Sequence, residues 1–308
     1  MKILITGGAG SLGMNLLNYF SKKNFNILIL DNLTTGNKNV TQFESNNITF
    51  KKIDITNYKK LLKEFDFFRP QEIIHLAASY DDPDNWQRDI KTNIEGINNL
   101  IDLSKLYNVR RVINIQTILC YKQEFGQIDE NGEIKPISSY SISKTAAESY
   151  LNLSGLHFIS FRLSSVFGPW SFSGPIPIFY KKISNGENCL VTDTYRDYIY
   201  VDDFINLFDK TLKNKKLNGI FNVSNGEPIS IKEIFNHMIE TINPKQKVTV
   251  KEIKNSNDDV KKIFLDSSKI RKALNWKPQS KFIDSLKKTI LWYDKNGVGK
   301  SFTHLKKK

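Results

Sequence analysis

The chain is predicted to be an α/β protein, a doubly wound parallel sheet with helices on both faces followed by a smaller mixed α/β lobe. Three features lead to that class. A short apolar run at the N-terminus enters a glycine-rich turn, strand-like and helix-like segments alternate through the first half, and the texture changes near residue 166.

Lys2-Ile3-Leu4-Ile5-Thr6 has strand length, and Leu12, Leu16, Leu17 and Phe20 then recur at helical spacing. Gly7, Gly10 and Gly13 therefore fall in a strand-to-helix turn, where missing side chains let backbone N–H groups and a helix N-terminus approach a pyrophosphate. A second strand, Ile27-Leu28-Ile29-Leu30, ends in Asp31, 18 residues after Gly13. An acidic residue about 20 positions on suits an adenosine ribose, because it accepts from the 2′-hydroxyl and repels a 2′-phosphate. Strand, turn, helix, strand and acid in this order mark a Rossmann-type dinucleotide site that favours NAD over NADP.

Further strands are expected at Ile48 to Ile53, Ile73 to Leu76, Val109 to Ile115 and Phe158 to Leu163. Leu61, Leu62 and Phe65 mark one intervening helix, and Ile90, Ile94, Ile97 and Ile101 trace a single apolar face on the next. Tyr140 and Lys144, at i and i+4, share one face of the helix that follows the Pro136 loop. An ammonium beside a phenol favours phenolate, so the pair makes a base near the dinucleotide site. From Val166 onward, Gly168-Pro169, Gly174-Pro175, Pro177 and Gly186 punctuate shorter elements. The division expected is residues 1–165 for the nucleotide-binding domain with the catalytic groups, and 166–308 for a substrate-binding lobe. Ile220-Phe221-Asn222-Val223 is expected to return to the main sheet.

Composition narrows the class. Of 308 residues, 40% are hydrophobic and 25% charged, ordinary for a globular protein. Cys120 and Cys189 have no metal-ligand spacing, so neither a disulfide framework nor a metal site is indicated. No stretch approaches the ~20 apolar residues of a membrane span, and no charged leader precedes the first strand, so a cytoplasmic, soluble protein is expected. The net charge of +13 comes mostly from scattered lysines, with only seven arginines, and no nucleic-acid motif accompanies it. Such a field helps attract a doubly charged anionic substrate.

The chain resembles the extended short-chain dehydrogenase/reductase family, in particular its NAD-dependent sugar-nucleotide epimerase/dehydratase group. The landmarks, spread over nearly the whole chain, are Gly7-x-x-Gly10-x-x-Gly13, Asp31-Asn32-Leu33-Thr34-Thr35-Gly36, Asp54-Ile55, His75-Leu76-Ala77-Ala78, Thr92-Asn93-Ile94-Glu95-Gly96, Tyr140-x-x-x-Lys144, Ser165-Val166-Phe167-Gly168-Pro169 and Arg196-Asp197-Tyr198. The resemblance implies an NAD site of Gly7, Gly10, Ser11, Leu12, Gly13, Asp31, Asn32, Gly36, Asp54, Ile55, Leu76, Ala77, Ala78, Asn93 and Lys144. It implies a catalytic set of Tyr140, Lys144 and Thr117, with Tyr80, Ser165 and Arg196 on the substrate side. A homodimer formed through the Ile90 and Tyr140 helices is also implied.

Departures from the pattern point to the reaction. In nucleotide-sugar 4,6-dehydratases an acid pair follows the catalytic hydroxyl, whereas Ile118-Leu119 follow Thr117 here. Cys120 is placed poorly for the nucleophile that oxidation to an acid requires, and His75 reads as a structural strand-end histidine. What remains is epimerisation at C4 of a nucleotide sugar, resembling bacterial O-antigen and surface-polysaccharide epimerases, with a UDP-sugar expected. A reductase or a uronate decarboxylase on the same scaffold, or a non-catalytic NAD-binding regulator, are the competing readings. The family's diphosphate-gripping Arg has no counterpart in Ser256-Asn257-Asp258-Asp259, leaving Arg196, Lys251 and Lys254 as candidate cations.

Overall fold

The computed structural model describes residues 1–122, 126–253 and 262–299; Lys254, the Ser256 to Asp259 segment and the terminal lysines lie outside them. The first half runs β1 (Lys2–Thr6), α1 (Ser11–Phe20), β2 (Asn26–Asp31), β3 (Ile48–Lys52), α2 (Tyr58–Phe68), β4 (Glu72–His75), α3 (Trp86–Asp89), a π-helical segment (Ile90–Glu95), α4 (Gly96–Leu106), β5 (Arg111–Thr117), β6 (Gly126–Ile128), α5 (Ser139–Leu153) and β7 (Phe158–Leu163). The second half runs β8 (Ser165–Phe167), α6 (Pro175–Ser184), β9 (Cys189–Thr192), β10 (Tyr195–Tyr200), α7 (Val201–Lys213), β11 (Gly219–Val223), β12 (Pro228–Ser230), α8 (Ile231–Ile242), β13 (Val250–Ile253), β14 (Lys262–Leu265), α9 (Ser268–Leu274) and α10 (Phe282–Asn296).

Seven strands form one parallel sheet in the order β11-β7-β5-β4-β1-β2-β3. The chain therefore forms the Rossmann-like α/β fold expected. Both faces of the sheet are covered, which is why its strands are continuous apolar runs. On one face, Leu16, Leu17 and Phe20 of α1 pack with Phe204, Leu207 and Phe208 of α7 and Ile270 of α9. On the other, Leu61 and Phe65 of α2 pack with Ile97 and Leu100 of α4 and Ala147 and Leu151 of α5. Elements after Val166 thus build part of the first core: β11 extends the sheet beside β7, and α7 and α9 cover it.

A second sheet, β12-β10-β14-β6 with β8 beside β10, has its own apolar cluster around Phe167, Phe179, Phe235 and Leu286. The exchange is mutual, since β6 from the first half pairs with β14. Because all strands of the main sheet are parallel, their C-terminal ends open on one side, and the second sheet stands against that side.

The helix expected from Ile90 to Ile101 is not one regular helix. Its first part, Ile90–Glu95, is the π-helical segment that continues from α3, and α4 begins only at Gly96. The wider π turns rotate the apolar stripe. Ile97 and Ile101 are buried while Ile90 is exposed. An added Cβ on Gly96 would lie 2.4 Å from Ile55 Cδ1, so this glycine lets α4 pack against the chain leaving β3.

At the opposite, N-terminal edge of the sheet sits a buried charge cluster. Arg111 Nη2 donates to Glu72 Oε2 at 2.6 Å, Lys215 Nζ reaches Glu72 Oε1 at 2.8 Å, and Arg111 Nη1 donates to the carbonyls of Thr211 and Asn214. The cluster ties β4 and β5 to the loop after α7. Glu72→Ala should strand the Arg111 charge and destabilise the fold by about 3 kcal/mol, seen as a lower urea midpoint at unchanged slope.

Candidate active site

One cavity of about 1540 Å³ runs along the C-terminal strand ends and into the cleft facing the second sheet. A single small-molecule site seldom exceeds about 1,000 Å³, so this volume has room for more than one small ligand.

The β1–α1 turn builds one end. Gly7 has φ +70°, and an added Cβ would lie 2.4 Å from the Ala77 nitrogen, so this glycine lets the chain leaving β4 press against the turn. A Cβ on Gly13 would lie 2.3 Å from the Gly8 oxygen, which fixes the closeness of α1 to the turn. Gly10 differs: its Cβ would meet only the Gly7 oxygen at 3.2 Å and would otherwise stand in the cavity. That open space faces the N-terminus of α1, whose first N–H groups have no side-chain cap.

Asp31, at the end of β2, is buried and accepts from the backbone of Ala9 at 3.0 Å and of Leu33 at 2.8 Å. Burial raises its pKa, opposed by those two bonds, with nearby Asp54 adding a smaller upward push. Asp54 accepts from Asn32 and Thr56, which together with Arg88 hold its carboxyl below the usual range despite its own partial burial. Asn32, Gly36, Asp54 and Ile55 line the same wall.

Tyr140 and Lys144 are placed by the start of α5. Ser138 caps the helix, accepting from Ser141 N–H at 3.2 Å while Ser141 Oγ accepts from Ser138 N–H at 3.0 Å. Tyr140 thus lies in the first turn, facing the cavity, and its phenol is hydrogen-bonded to Thr117 at the end of β5. Lys144, 3% exposed, lines the cavity one turn on.

The protonation state differs from the phenolate expectation. The packed walls around the phenol push the Tyr140 pKa well above its ordinary value, Asp89 adds to the shift, and only Thr117 opposes it. Burial likewise lowers Lys144 to about 8, with Glu148 opposing. In the protein alone Tyr140 is a neutral phenol, because both partners lose hydration together. His75, lowered to about 3 by burial and then by Lys144, is a neutral imidazole bonded through Nδ1 to Thr6 Oγ1 at 2.7 Å. Cys120 is buried and its thiol is pushed up to about 12, which keeps it inert.

Of the residues singled out from the sequence, Gly7, Gly10, Ser11, Leu12, Gly13, Leu76, Ala77, Ala78, Tyr80, Thr117, Tyr140, Lys144, Ser165 and Arg196 also line the cavity. Asn93 does not. Its Oδ1 accepts from Ser79 N–H at 2.8 Å, and its Nδ2 donates to the Ser79 carbonyl and to Ser143 Oγ at 2.9 Å. The amide is consumed in bolting the chain after β4 to α5, so Asn93 positions the site from behind. Lys251 is an exposed residue of β13 away from the cavity wall.

Several lining residues had no local signal. Trp170 and Trp292, with rings 5.3 Å apart, and Phe172 form an aromatic wall assembled from segments 122 positions apart. Tyr80, which the sequence did single out, packs its ring at a tilt 6.1 Å from that of Tyr140. Gln116, Ser79 and Ser164, polar and buried, also face the cavity. Among the described residues, no group of three His, Cys, Asp or Glu side chains is placed to hold a metal, and no helix is long and apolar enough to cross a membrane.

Residues 3–224 match the model of the NAD dependent epimerase/dehydratase family. The fold closely follows the crystal structure of the Bordetella bronchiseptica enzyme WbmG in complex with NAD, with 38% identity, a TM-score of 0.91, and coverage of 99% of this chain and 98% of that one. WbmG has also been crystallised with NAD and UDP. Among curated relatives, a putative UDP-glucose 4-epimerase of Methanocaldococcus jannaschii is 28% identical over 96% of this chain and 99% of its own. A dTDP-D-glucose 4,6-dehydratase of Dictyostelium discoideum is 29% identical over 74% of this chain and 59% of its own. The chain belongs to the NAD dependent epimerase/dehydratase family, in the extended short-chain dehydrogenase/reductase group. Its cofactor is NAD, which the open face of Gly10 and the buried carboxylate of Asp31 fit.

Lowered pKa of a buried lysine means that the folded state binds fewer protons than the unfolded state between pH 8 and about 10.5. The charged Lys144 therefore costs stability below pH 8, and the cost fades as pH rises through that window. In NAD-free protein, Lys144→Met should melt above the wild type at pH 7, and the difference should shrink by pH 9.5 in paired thermal scans.

Proposed function

We propose that this protein is a 4-epimerase of a UDP-linked sugar, working without net oxidation. The observation that carries the proposal is the turn after Thr117. Ile118 and Leu119 line the cavity beside the catalytic hydroxyl, where elimination of water would need acidic side chains. An apolar turn at that place suits a sugar that is oxidised and reduced at the same carbon.

Tyr140, once ionised to the phenolate, takes the proton of the C4 hydroxyl and later returns it, with Thr117 holding the same oxygen through its hydroxyl. Lys144 stands one helical turn behind, and Ser138, Asn93 and Ser143 keep α5 in register with the strand ends. NAD, when bound, supplies a hydride acceptor and donor and a positive ring beside the phenol. The transient 4-keto sugar requires space to present its other face, and the cavity between Tyr80, Trp170, Phe172 and Trp292 supplies it. Arg196, on β10 at the cavity wall, is the candidate diphosphate partner. Together with the resemblance to O-antigen epimerases, these features support a role in surface-polysaccharide precursor synthesis in the cytoplasm.

The purified protein, given UDP-glucose, UDP-N-acetylglucosamine or their uronic acids with no added cofactor, should produce a C4 epimer at constant total sugar, followed by NMR. Tyr140→Phe should keep bound NAD and lose at least about 100-fold in turnover. A stoichiometric demand for NAD(P)H, or release of carbon dioxide, would replace epimerisation with reduction or decarboxylation.

We further propose a homodimer built on α5 and its neighbours. Ile142, Tyr150 and Leu153 lie on an outward face of α5 and Ile90 on the adjoining segment, all exposed. Ile142→Glu combined with Tyr150→Glu should convert a dimer to a monomer in light scattering. A wild-type protein that is monomeric at micromolar concentration would refute the assembly.

A further inference from the structure

We propose, resting on the nucleotide-sugar reading above, that Gln116 is a specificity-determining residue whose carboxamide N–H donates a hydrogen bond to an oxygen on the substrate's sugar ring or its substituent. Gln116 is the penultimate residue of β5, 2% exposed, and lines the cavity. Its Oε1 accepts from the backbone N–H of Thr117 at 2.8 Å. A backbone N–H can only donate, so this contact decides which end of the carboxamide is oxygen. Nε2 is thereby turned away from Thr117, and it is buried with no hydrogen-bond partner among the described residues. Native interiors rarely leave a buried amide donor unmet, and a bound acceptor resolves it.

Two more buried side-chain oxygens are without partners: Ser79 Oγ, in the chain after β4, and Ser164 Oγ, just past β7. Both residues also line the cavity. Strands β4, β5 and β7 are neighbours in the sheet, so all three residues belong to chain at or beyond adjacent C-terminal strand ends. The serines can donate or accept, whereas Gln116 Nε2 can only donate. Such a set fits a ligand rich in acceptor oxygens, as a sugar ring with its hydroxyl, carboxyl or amide groups is. The amide belongs to the residue preceding Thr117, whose hydroxyl meets the Tyr140 phenol, so both side chains leave the same strand end. A pocket built to donate to a substituent discriminates strongly against analogues that lack it.

Gln116→Glu, compared at pH 6 and pH 9, keeps an oxygen for the Thr117 N–H and loses the donor once the carboxyl ionises. Gln116→Met removes both. Binding of UDP and of the four UDP-sugars to NAD-loaded protein would be measured by titration calorimetry, alongside NAD content, melting temperature and turnover. UDP should bind the wild type and both variants alike. At least one UDP-sugar should bind each variant about tenfold or more weakly than it binds wild type, with NAD content unchanged in Gln116→Glu. UDP-sugar binding within about threefold of wild type in Gln116→Glu would reduce the side chain to a brace for Thr117 and overturn the proposal. Loss of NAD with sugar binding intact would assign the donor to the cofactor instead, and a wild type that binds UDP-sugars no more tightly than UDP would also overturn it. If the sugar increment depends on Gln116 but no C4 epimer forms, the assignment stands and the epimerase reading fails.

Discussion

The site depends on one constraint: α5 turns polar side chains, not only apolar ones, toward the interior. Ser141, Ser143, Lys144 and Glu148 are all buried, alongside Ala147 and Leu151. Each buried polar group must find a partner or face a cavity. Ser141 is spent in the capping box with Ser138, and Ser143 receives Asn93. Glu148 accepts from Ser160 at 2.6 Å and from Arg162 at 2.6 and 3.0 Å, and Arg162 extends the network to Tyr121 and through it to Asn222 of β11. With these contacts made, the helix has one allowed rotation and height, and in it Tyr140 and Lys144 face the cavity.

The same packing sets the electrostatics. A phenol and an ammonium that lose water together each move toward the neutral form, as Tyr140 rising and Lys144 falling to about 8 both express. The protein alone therefore shifts both members of the Tyr140–Lys144 pair toward their neutral forms. Glu148, one helical turn beyond Lys144, favours its charged form, and Glu148 itself is paired with the buried guanidinium of Arg162. The base is prepared by position, and its ionisation is left to what binds.

Much of this was legible because it is local. The turn at Gly7, Gly10 and Gly13, the acid at Asp31 and the Tyr140–Lys144 spacing are each set within one or two consecutive elements. The helix expected over Ile90 to Ile101 is present, but its single apolar face is not, since a π segment alters the angular step and cannot be read from apolar spacing alone. Of the cofactor-side and structural roles open to Asn93, the sequence could not choose, because its partners lie 14 and 50 residues away. Nothing in Thr92-Asn93-Ile94-Glu95-Gly96 tells an amide that touches ligand from one that fastens a helix.

The sequence by itself determined the order of strands and helices, the nucleotide turn and the pair of residues able to exchange a proton, because periodicity and glycine geometry act over short distances. Tertiary structure decided which polar groups remain open. Gln116, Asn93 and Ser143 are alike as buried polar residues, yet Asn93 and Ser143 satisfy each other while Gln116 keeps its N–H unpaired at the cavity. That difference arises only when parallel strands bring their C-terminal ends together, since a hydrogen bond is made or left unmade by distance in space, not by position in the chain.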